Sequence, residues 1–365
     1  MQALLMTALL MTGLQGAAPD ARTPELAYQL VEGQNLNAFV RDGSVAAHLL
    51  LRNGTEPRIL VAFPAGNSGV GLWFEPLATP ASWTLEASPR PADGQAIAFT
   101  ASIDAPRLAV RQAVLSNIRF LRDYQSVGRF PAEVATQPQV GRDTLSWQRQ
   151  RLDGRPGYRL SVRVLSGRIE GGAILAGADG RIRLAVSAAS GDTPLTGIPL
   201  AELLNERVAP DPAARNALRF LSYREKFLAG SWRFNTYFGR DTLMSVRLLM
   251  PALRPAAIEA GLGAVLARLN EAGEVAHEEG LGEFAVVEHR QQGGTGDAPT
   301  LDYGMIDDDY MLAPVAADYL LGPAGPTEAR AFLSRPIASE ARPGTREPAG
   351  AALVRNLRFV IDQAA

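Results

Sequence analysis

The chain of 365 residues contains no cysteine, and Lys226 is its only lysine among 36 basic residues. The first absence excludes disulfides, thiolate nucleophiles, thiolate zinc sites and a lipoprotein anchor, and it is compatible with export. The second leaves arginine to carry positive charge beside abundant alanine, glycine and proline, a bias of GC-rich coding from which no function follows. A formal net charge of −2 supplies no basic footprint for nucleic acid. No phosphate-cradling glycine motif is present, so no nucleotide or redox cofactor is expected. Long apolar runs are missing too. The nearest, Met1–Leu14, is too short to span a bilayer. Gly16, Ala17 and Ala18 follow it, the pattern of a secretory signal over residues 1–20. The stretch lacks Lys and Arg, and Pro19 sits badly after a cut at Ala18, so a buried N-terminal helix is the competing reading. The expectation is an exported protein, periplasmic or secreted, with no stable membrane anchor.

What remains is an ordinary globular composition, 47% apolar and 20% charged, long enough for two or three domains. Over residues 21–197 the apolar pattern has period two. Arg58–Phe63, Ala96–Ile103, Tyr158–Leu165 and Arg181–Ser187 alternate, and Asn53-Gly54, Asp93-Gly94, Asp153-Gly154 and Asp179-Gly180 separate such runs. Short strands with these turns predict an antiparallel β-sandwich. Ile118–Tyr124 reads as either strand or helix. The period then changes. Residues 198–230 read as linker helices (Ala201–Val208 and Pro212–Leu228). Helical patterns continue at Leu243–Leu253, Ala256–Asn270, Tyr310–Leu321 and Ala351–Ala364, with a short one near Ala329–Leu333. The fold class is therefore β followed by α.

Chemistry concentrates after residue 230. An aromatic loop (Trp232, Phe234, Tyr237, Phe238) runs into Gly239-Arg240-Asp241-Thr242 and then a helix. Asp241 or Thr242 can cap that helix. Rings around an Arg–Asp pair suit a polyhydroxylated ligand, while the plainer alternative is a capped core helix under an aromatic loop. The same pentapeptide occurs at Gly141–Leu145 without the aromatic lead-in, so the context carries the signal. Two acidic groups follow. His277-Glu278-Glu279 opens like a metalloprotease motif, but Leu281 stands where the second histidine belongs, and no metal is expected. Gly280 and Gly282 mark this stretch as a loop, either solvated or lining a pocket. Asp307-Asp308-Asp309 begins a helix, where the free N–H groups favour acidic residues. Three adjacent carboxylates also repel, and one that keeps its proton near neutrality can act as a general acid, as acetal hydrolysis requires. A calcium site is the third possibility, without the EF-hand spacing.

Phe238-Gly-Arg-Asp-Thr-Leu-Met-Ser followed by Tyr303-Gly-Met-Ile-Asp307 resembles the six-hairpin (α/α)6 glycosidases. The closest likeness is to the amylo-α-1,6-glucosidase domain of glycogen debranching enzymes and its bacterial relatives. It covers the chain from about residue 209 onward. The resemblance implies an inverting hydrolase of α-glucosidic linkages in glucans or oligosaccharides, with a carbohydrate as its substrate partner. It makes Asp307 the general acid candidate, with Asp308 and Asp309 as catalytic alternates because Gly304 replaces the relatives' Asn and unsettles the register. Arg240 and Asp241 would line the sugar subsite, and Trp232, Tyr237, Phe238, His277, Glu278, Glu279 and Tyr303 would contact substrate. Residues 231–365 hold only about half of a twelve-helix toroid. The expectation is a truncated or split copy whose general base lies beyond Ala365, with a separate C-terminal half or self-association covering the open face. The alternative is a non-catalytic carbohydrate-binding protein or pseudoenzyme.

Overall fold

The computed structural model describes residues 24–92 and 95–365. The leader over residues 1–20 and the Asp93-Gly94 turn lie outside the described residues. The first half is almost entirely strand: β1 (Leu26–Glu32), β2 (Asn35–Asp42), β3 (Val45–Arg52), β4 (Arg58–Phe63), β5 (Ser68–Phe74), β6 (Trp83–Ala92), β7 (Ala96–Ile103) and β8 (Arg107–Asn117). A helix, α1 (Ile118–Val127), resolves the ambiguous segment. Then come β9 (Gln139–Val140), β10 (Thr144–Arg149), β11 (Tyr158–Ser166), β12 (Arg168–Glu170), β13 (Ala173–Leu175) and β14 (Ile182–Ser190). They form an eight-stranded sheet, β1-β2-β3-β4-β5-β8-β13-β12, and a six-stranded one, β6-β7-β14-β11-β10-β9. Every pairing is antiparallel. One apolar core takes side chains from both sheets, among them Leu49, Val61, Leu72, Phe99, Leu160 and Val186.

The sequence pattern records which faces are covered. β11 and β14 alternate buried and accessible residues, as strands with one wet face do. In β4 and β5 all but Arg58 are buried, because the second face of the larger sheet is also covered. Leu50, Leu60, Trp73 and Val114 point outward from it and meet Ile118 and Leu121 of α1 together with Trp232. Phe220 packs on Leu26 and Phe39, and Tyr223 and Leu228 on Ala46. The larger sheet is thus the floor on which the second half is built.

That half comprises α2 (Leu200–Leu203), α3 (Pro212–Leu221), α4 (Gly239–Leu249), α5 (Pro255–Ala267), α6 (Gly282–Gln291), α7 (Asp307–Leu320), α8 (Pro326–Ser334) and α9 (Ala349–Ala364). Two short antiparallel pairs interrupt it, β15 (Glu278–Gly280) with β16 (Thr300–Asp302), which flank α6, and β17 (Pro336–Ala338) with β18 (Arg346–Pro348). α4 packs on α5 and α7, and α9 on α7 and α8, around a second apolar core. Among the described residues no helix is long and apolar enough to cross a membrane.

Four expectations need correction. The helix expected over Ala201–Val208 is a single turn, α2, ending at Leu203, because Leu204 turns extended and bridges to Leu253. The helix expected over Pro212–Leu228 ends at Leu221, and Ser222 and Phe227 then bridge as antiparallel partners. The turn delivers Tyr223 and Leu228 to the sheet and Lys226 to a buried carboxylate, and these tertiary contacts outweigh local helix preference. The loop expected around Gly280 and Gly282 is instead a strand followed at once by α6. Gly282 has φ +54, and a side chain there would meet the Gly66 carbonyl and Asp192, so glycine is required at this seam. Finally, α4 starts at Gly239 with Phe238 as its N-cap and no side-chain cap, so neither Asp241 nor Thr242 has the capping role.

Candidate functional site

The conspicuous motifs occupy the first turns of α4 and α7, which pack side by side. Between them runs the chain leading into β15. The Gly239 N–H donates to the His277 carbonyl at 2.8 Å, the His277 N–H donates to the Asp302 carbonyl at 2.7 Å, and Phe238 bridges to Glu278. Gly239 is needed for this approach. A Cβ there would lie 2.5 Å from the Ala276 carbonyl oxygen and 2.7 Å from Asp308 Oδ2.

Consecutive residues of a helix project about 100° apart, so the three aspartates diverge. Asp307 points outward, where Arg240 Nη1 donates to its Oδ2 at 3.1 Å, and both side chains are about two-fifths exposed. Slight burial would raise the Asp307 carboxyl, but the Arg240 hydrogen bond and the adjacent Asp308 carboxyl outweigh it and hold it below the usual carboxylate range. Asp308 points inward and is fully buried, its Oδ2 3.4 Å from His277 Nδ1. Burial, reinforced by the neighbouring Asp307 charge, pushes its carboxyl up to about 6. Asp309 turns to the other side and accepts from the Val275 N–H at 2.6 Å. Burial, helped by Glu274 and Asp307, raises it to about 6 as well. One triplet therefore supplies an ionised outer carboxylate, a protonatable inner one beside a histidine, and a backbone anchor.

The expected acid, Asp307, is the one member held ionised. Asp308 and Asp309 are the two members raised, and the burial that raises Asp308 also keeps it off the surface. His277, with 17% of its side chain exposed, is the link between Asp308 and the outside. Phe238 stands beside it, its ring 5.6 Å from the imidazole and 6.0 Å from Phe234. Asp241 is half-buried in the first turn of α4.

Several of the expected ligand contacts are engaged in packing or pairing within the fold. Trp232 packs into the apolar layer against the sheet. Tyr237 is fully buried, with the Arg268 guanidinium 4.5 Å above its ring. The Tyr303 hydroxyl donates to the Arg268 carbonyl at 3.1 Å. Glu279 is fully buried. It accepts from Lys226, from Arg268 Nε at 2.9 Å, from the Thr236 hydroxyl at 2.8 Å and from the Tyr237 N–H at 3.2 Å. Glu278, one residue earlier on the strand, faces the other way and pairs with Arg119 of α1 at 2.5 Å. The Arg119 guanidinium also lies 4.6 Å over the Phe284 ring.

Arg119, Phe284 and the Lys226–Arg268–Glu279 cluster escaped the sequence reading. Only the singularity of Lys226 hinted at the last. Glu283 was missed too. It is fully buried and accepts from Arg149 through two bonds, at 2.6 and 2.7 Å, and also from Ser116 and the Leu152 N–H. Through it the first turn of α6 is tied to β8, β10 and the chain after it.

Five of the fold's cavities, between 150 and 650 Å³, lie elsewhere. The largest is bordered by Asn205, Arg247, Arg254 and Asp318. None of the five is lined by Arg240, His277, Asp307 or Asp308; of these residues Arg240 and Asp307 reach the surface, while Asp308 lies beneath it. Among the described residues no group of three or more His, Asp or Glu is placed to hold a metal ion. The chain matches no family model and no curated protein.

Proposed function

We propose that the protein is a glycoside hydrolase-like protein that binds an α-glucosidic glucan or oligosaccharide at the Arg240–Asp307 pair. The observation that carries this reading is the placement of that pair, at two abutting helix N-termini, beside the His277–Asp308 pair. Arg240 and the ionised Asp307 offer charged donors and acceptors to sugar hydroxyls, and the half-buried Phe238 offers an apolar face. In the inverting reaction, water attacks the anomeric carbon as the glycosidic bond breaks. The leaving oxygen takes a proton, and a second carboxylate takes one from the water. We assign the donated proton to the Asp308–His277 pair, with His277 as its accessible member. Asp307 becomes a sugar-positioning residue, and the base is left unassigned. The same reading takes the two sheets as a β-sandwich and the helices as part of an α/α toroid. It rests an exported location on the Met1–Ala18 pattern.

The exposure of Arg240 and Asp307 favours a second reading, a carbohydrate-binding protein without turnover. One experiment separates the two. Maltotriose and panose are titrated by calorimetry and then incubated with the protein, with glucose release and its anomeric form followed by NMR. The hydrolase reading expects β-glucose from an α-linkage. It also expects Asp308→Asn or His277→Gln to lower the rate at least ~100-fold, the lower range of general acid catalysis, while binding persists. Binding without release supports the second reading. Absence of binding to either sugar, with Arg240→Ala indistinguishable from wild type, would sink both.

A further inference from the structure

The six-stranded sheet keeps one face wet, the one turned away from the larger sheet on which the helices are built. Leu145, Leu160, Val162 and Val186 point into the sandwich core, and the residues between them point outward. Pairing aligns the outward residues in rows across the strands, because opposed residues project on the same side. One row runs Ser146, Ser161, Ser187, Ala98, Arg90, from β10 through β11, β14 and β7 to β6. Short side chains, three of them hydroxyls, make it a floor. Arg163 stands in the next row on one side, Arg159 in the next row on the other, and Arg90 closes the end. Arg90 and Arg163 border a groove of 320 Å³ over this floor, and a second hollow of 430 Å³ lies at Arg159. All three arginines are exposed, and none has a hydrogen-bond or ion-pair partner for its guanidinium among the described residues. Two carboxylates come near. Glu86 is taken by Arg183, and Asp143, just before β10, accepts from the Thr144 hydroxyl at 3.0 Å. The face thus holds an excess of positive charge on a chain whose formal net charge is −2.

We propose that this groove is a docking surface for an anionic polysaccharide, an extended sugar chain with carboxylates along it. Spacing decides against a small anion. Arg159 and Arg163 are four residues apart on one strand, about 13 Å, and Arg90 stands three strands away, about 14 Å across the sheet. Gathering all three on one small anion would lay each side chain flat across the floor. An extended polyanion meets them where they stand, and the planar fork of each guanidinium matches a carboxylate. The hydroxyls of Ser146, Ser161 and Ser187 donate to or accept from sugar hydroxyls between the charges. Trp83, Phe99, Trp147 and Tyr158, the aromatic residues of these strands, all point into the core, so the bases of a single-stranded nucleic acid have nothing to stack on. An acidic peptide would cross strands whose backbone groups are already paired, and cannot add there as a strand. The inference rests on this face alone and is independent of the hydrolase reading.

The test is affinity electrophoresis of the full chain through gels containing polygalacturonate, its methyl ester or polyglutamate, each compared with a gel without polymer. At low ionic strength polygalacturonate should retard the wild-type protein, and added salt should release it. The uncharged methyl ester should not retard it. The combined variant Arg90→Gln, Arg159→Gln, Arg163→Gln should bind at least ~10-fold more weakly, the joint effect of three exposed charge pairs. Its circular dichroism and melting temperature should stay unchanged, because these guanidinium groups pair with nothing in the fold. Ser161→Tyr keeps every charge but fills the floor, and it should weaken binding too. Wild-type protein that polygalacturonate does not retard overturns the proposal, as does retardation that survives the triple substitution. So do equal affinities for polyglutamate and polygalacturonate, or a Ser161→Tyr protein that binds as wild type does, since either reduces the face to unspecific positive charge.

Discussion

Removing the Glu279 carboxylate should unfold the protein far more readily than its short strand suggests. Glu279 is fully buried between Lys226 and Arg268, whose side chains are only 4% and 3% exposed. In Glu279→Ala both cations keep their burial and lose their anion, the situation in which breaking a buried pair costs about 3–5 kcal/mol. Titration gives a second route to the magnitude. Burial alone would raise the carboxyl, but Arg268 and Lys226 overcome it and hold Glu279 at about 2, against an ordinary 4.5. Two to three pKa units at about 1.4 kcal/mol each give about 3 kcal/mol, in agreement with the first route. Because the folded pKa is depressed, this contribution is present above the unfolded pKa of 4.5 and is lost as pH falls toward 2. Urea unfolding followed by tryptophan fluorescence should therefore place Glu279→Ala about 3–5 kcal/mol below wild type near neutral pH. The gap should narrow in acid as wild type loses its own share. The triple variant Lys226→Met, Arg268→Met, Glu279→Leu should recover most of the loss, because no charge is then stranded. A Glu279→Ala protein within about 1 kcal/mol of wild type, below the range for a stranded buried charge, would refute the argument. So would a gap that does not change with pH.

Three further expectations follow from neighbouring contacts. Glu283→Ala strands Arg149 and frees the first turn of α6, and should cost about 3–5 kcal/mol. Proteolysis should then cut near Leu281 under conditions that leave wild type intact. Gly239→Ala forces a methyl against the Ala276 carbonyl and Asp308, which should cost about 1–3 kcal/mol by overpacking. In calorimetry it should weaken sugar binding more than substitutions on the far side of α4 do. For Asp309 the sign is reversed. Its folded pKa of about 6 lies above the ordinary 3.8, so its stabilising contribution is complete below about 3.8 and is lost as pH rises through 6. Asp309→Asn keeps an acceptor for the Val275 N–H. The variant should be at least as stable as wild type near pH 8, and its relative advantage should disappear near pH 4 in thermal melts at both values.

Local pattern revealed the strands because an alternating run has one arrangement that buries its apolar side. It revealed α4, α5, α7 and α9 because their apolar period is long enough to average over exceptions. β15 and α6 stayed hidden because glycine has two uses. At Gly280 and Gly282 it signals a break, yet here it allows close packing, with Gly282 turning sharply against Gly66. The aspartate triplet was legible as a group, but its division of labour was not. Adjacent letters in the sequence are directions about 100° apart on a helix, and which direction meets Arg240, His277 or Val275 depends on how α7 is rotated in its packing. Trp232 and Tyr237 misled for a related reason. A ring next to an Arg–Asp motif serves equally well as a pocket wall or as core, and only the approach of the sheet and of Arg268 decides between them.

The buried charges around β15 explain why its register is fixed despite its three residues. Side chains alternate along a strand, so a slip of one residue exchanges inward and outward positions. In the observed register Glu278 reaches Arg119 outside and Glu279 reaches Lys226 and Arg268 inside. A slip of one residue in one direction would put Gly280 between the two cations and leave them without an anion, and in the other it would put Glu278 there and bring His277 instead of a carboxylate opposite Arg119. An apolar residue at position 279 would impose no comparable penalty on the slipped state unless the cations were replaced too. The same register sets His277 two residues before Glu279, with its carbonyl accepting from the Gly239 N–H and its ring beside Asp308. The geometry around Gly239, His277 and Asp308 is thus held from below by buried charges. Variants of Glu279 should accordingly alter the site's pH profile as well as the protein's stability, whereas a purely structural cluster remote from the site would alter stability alone.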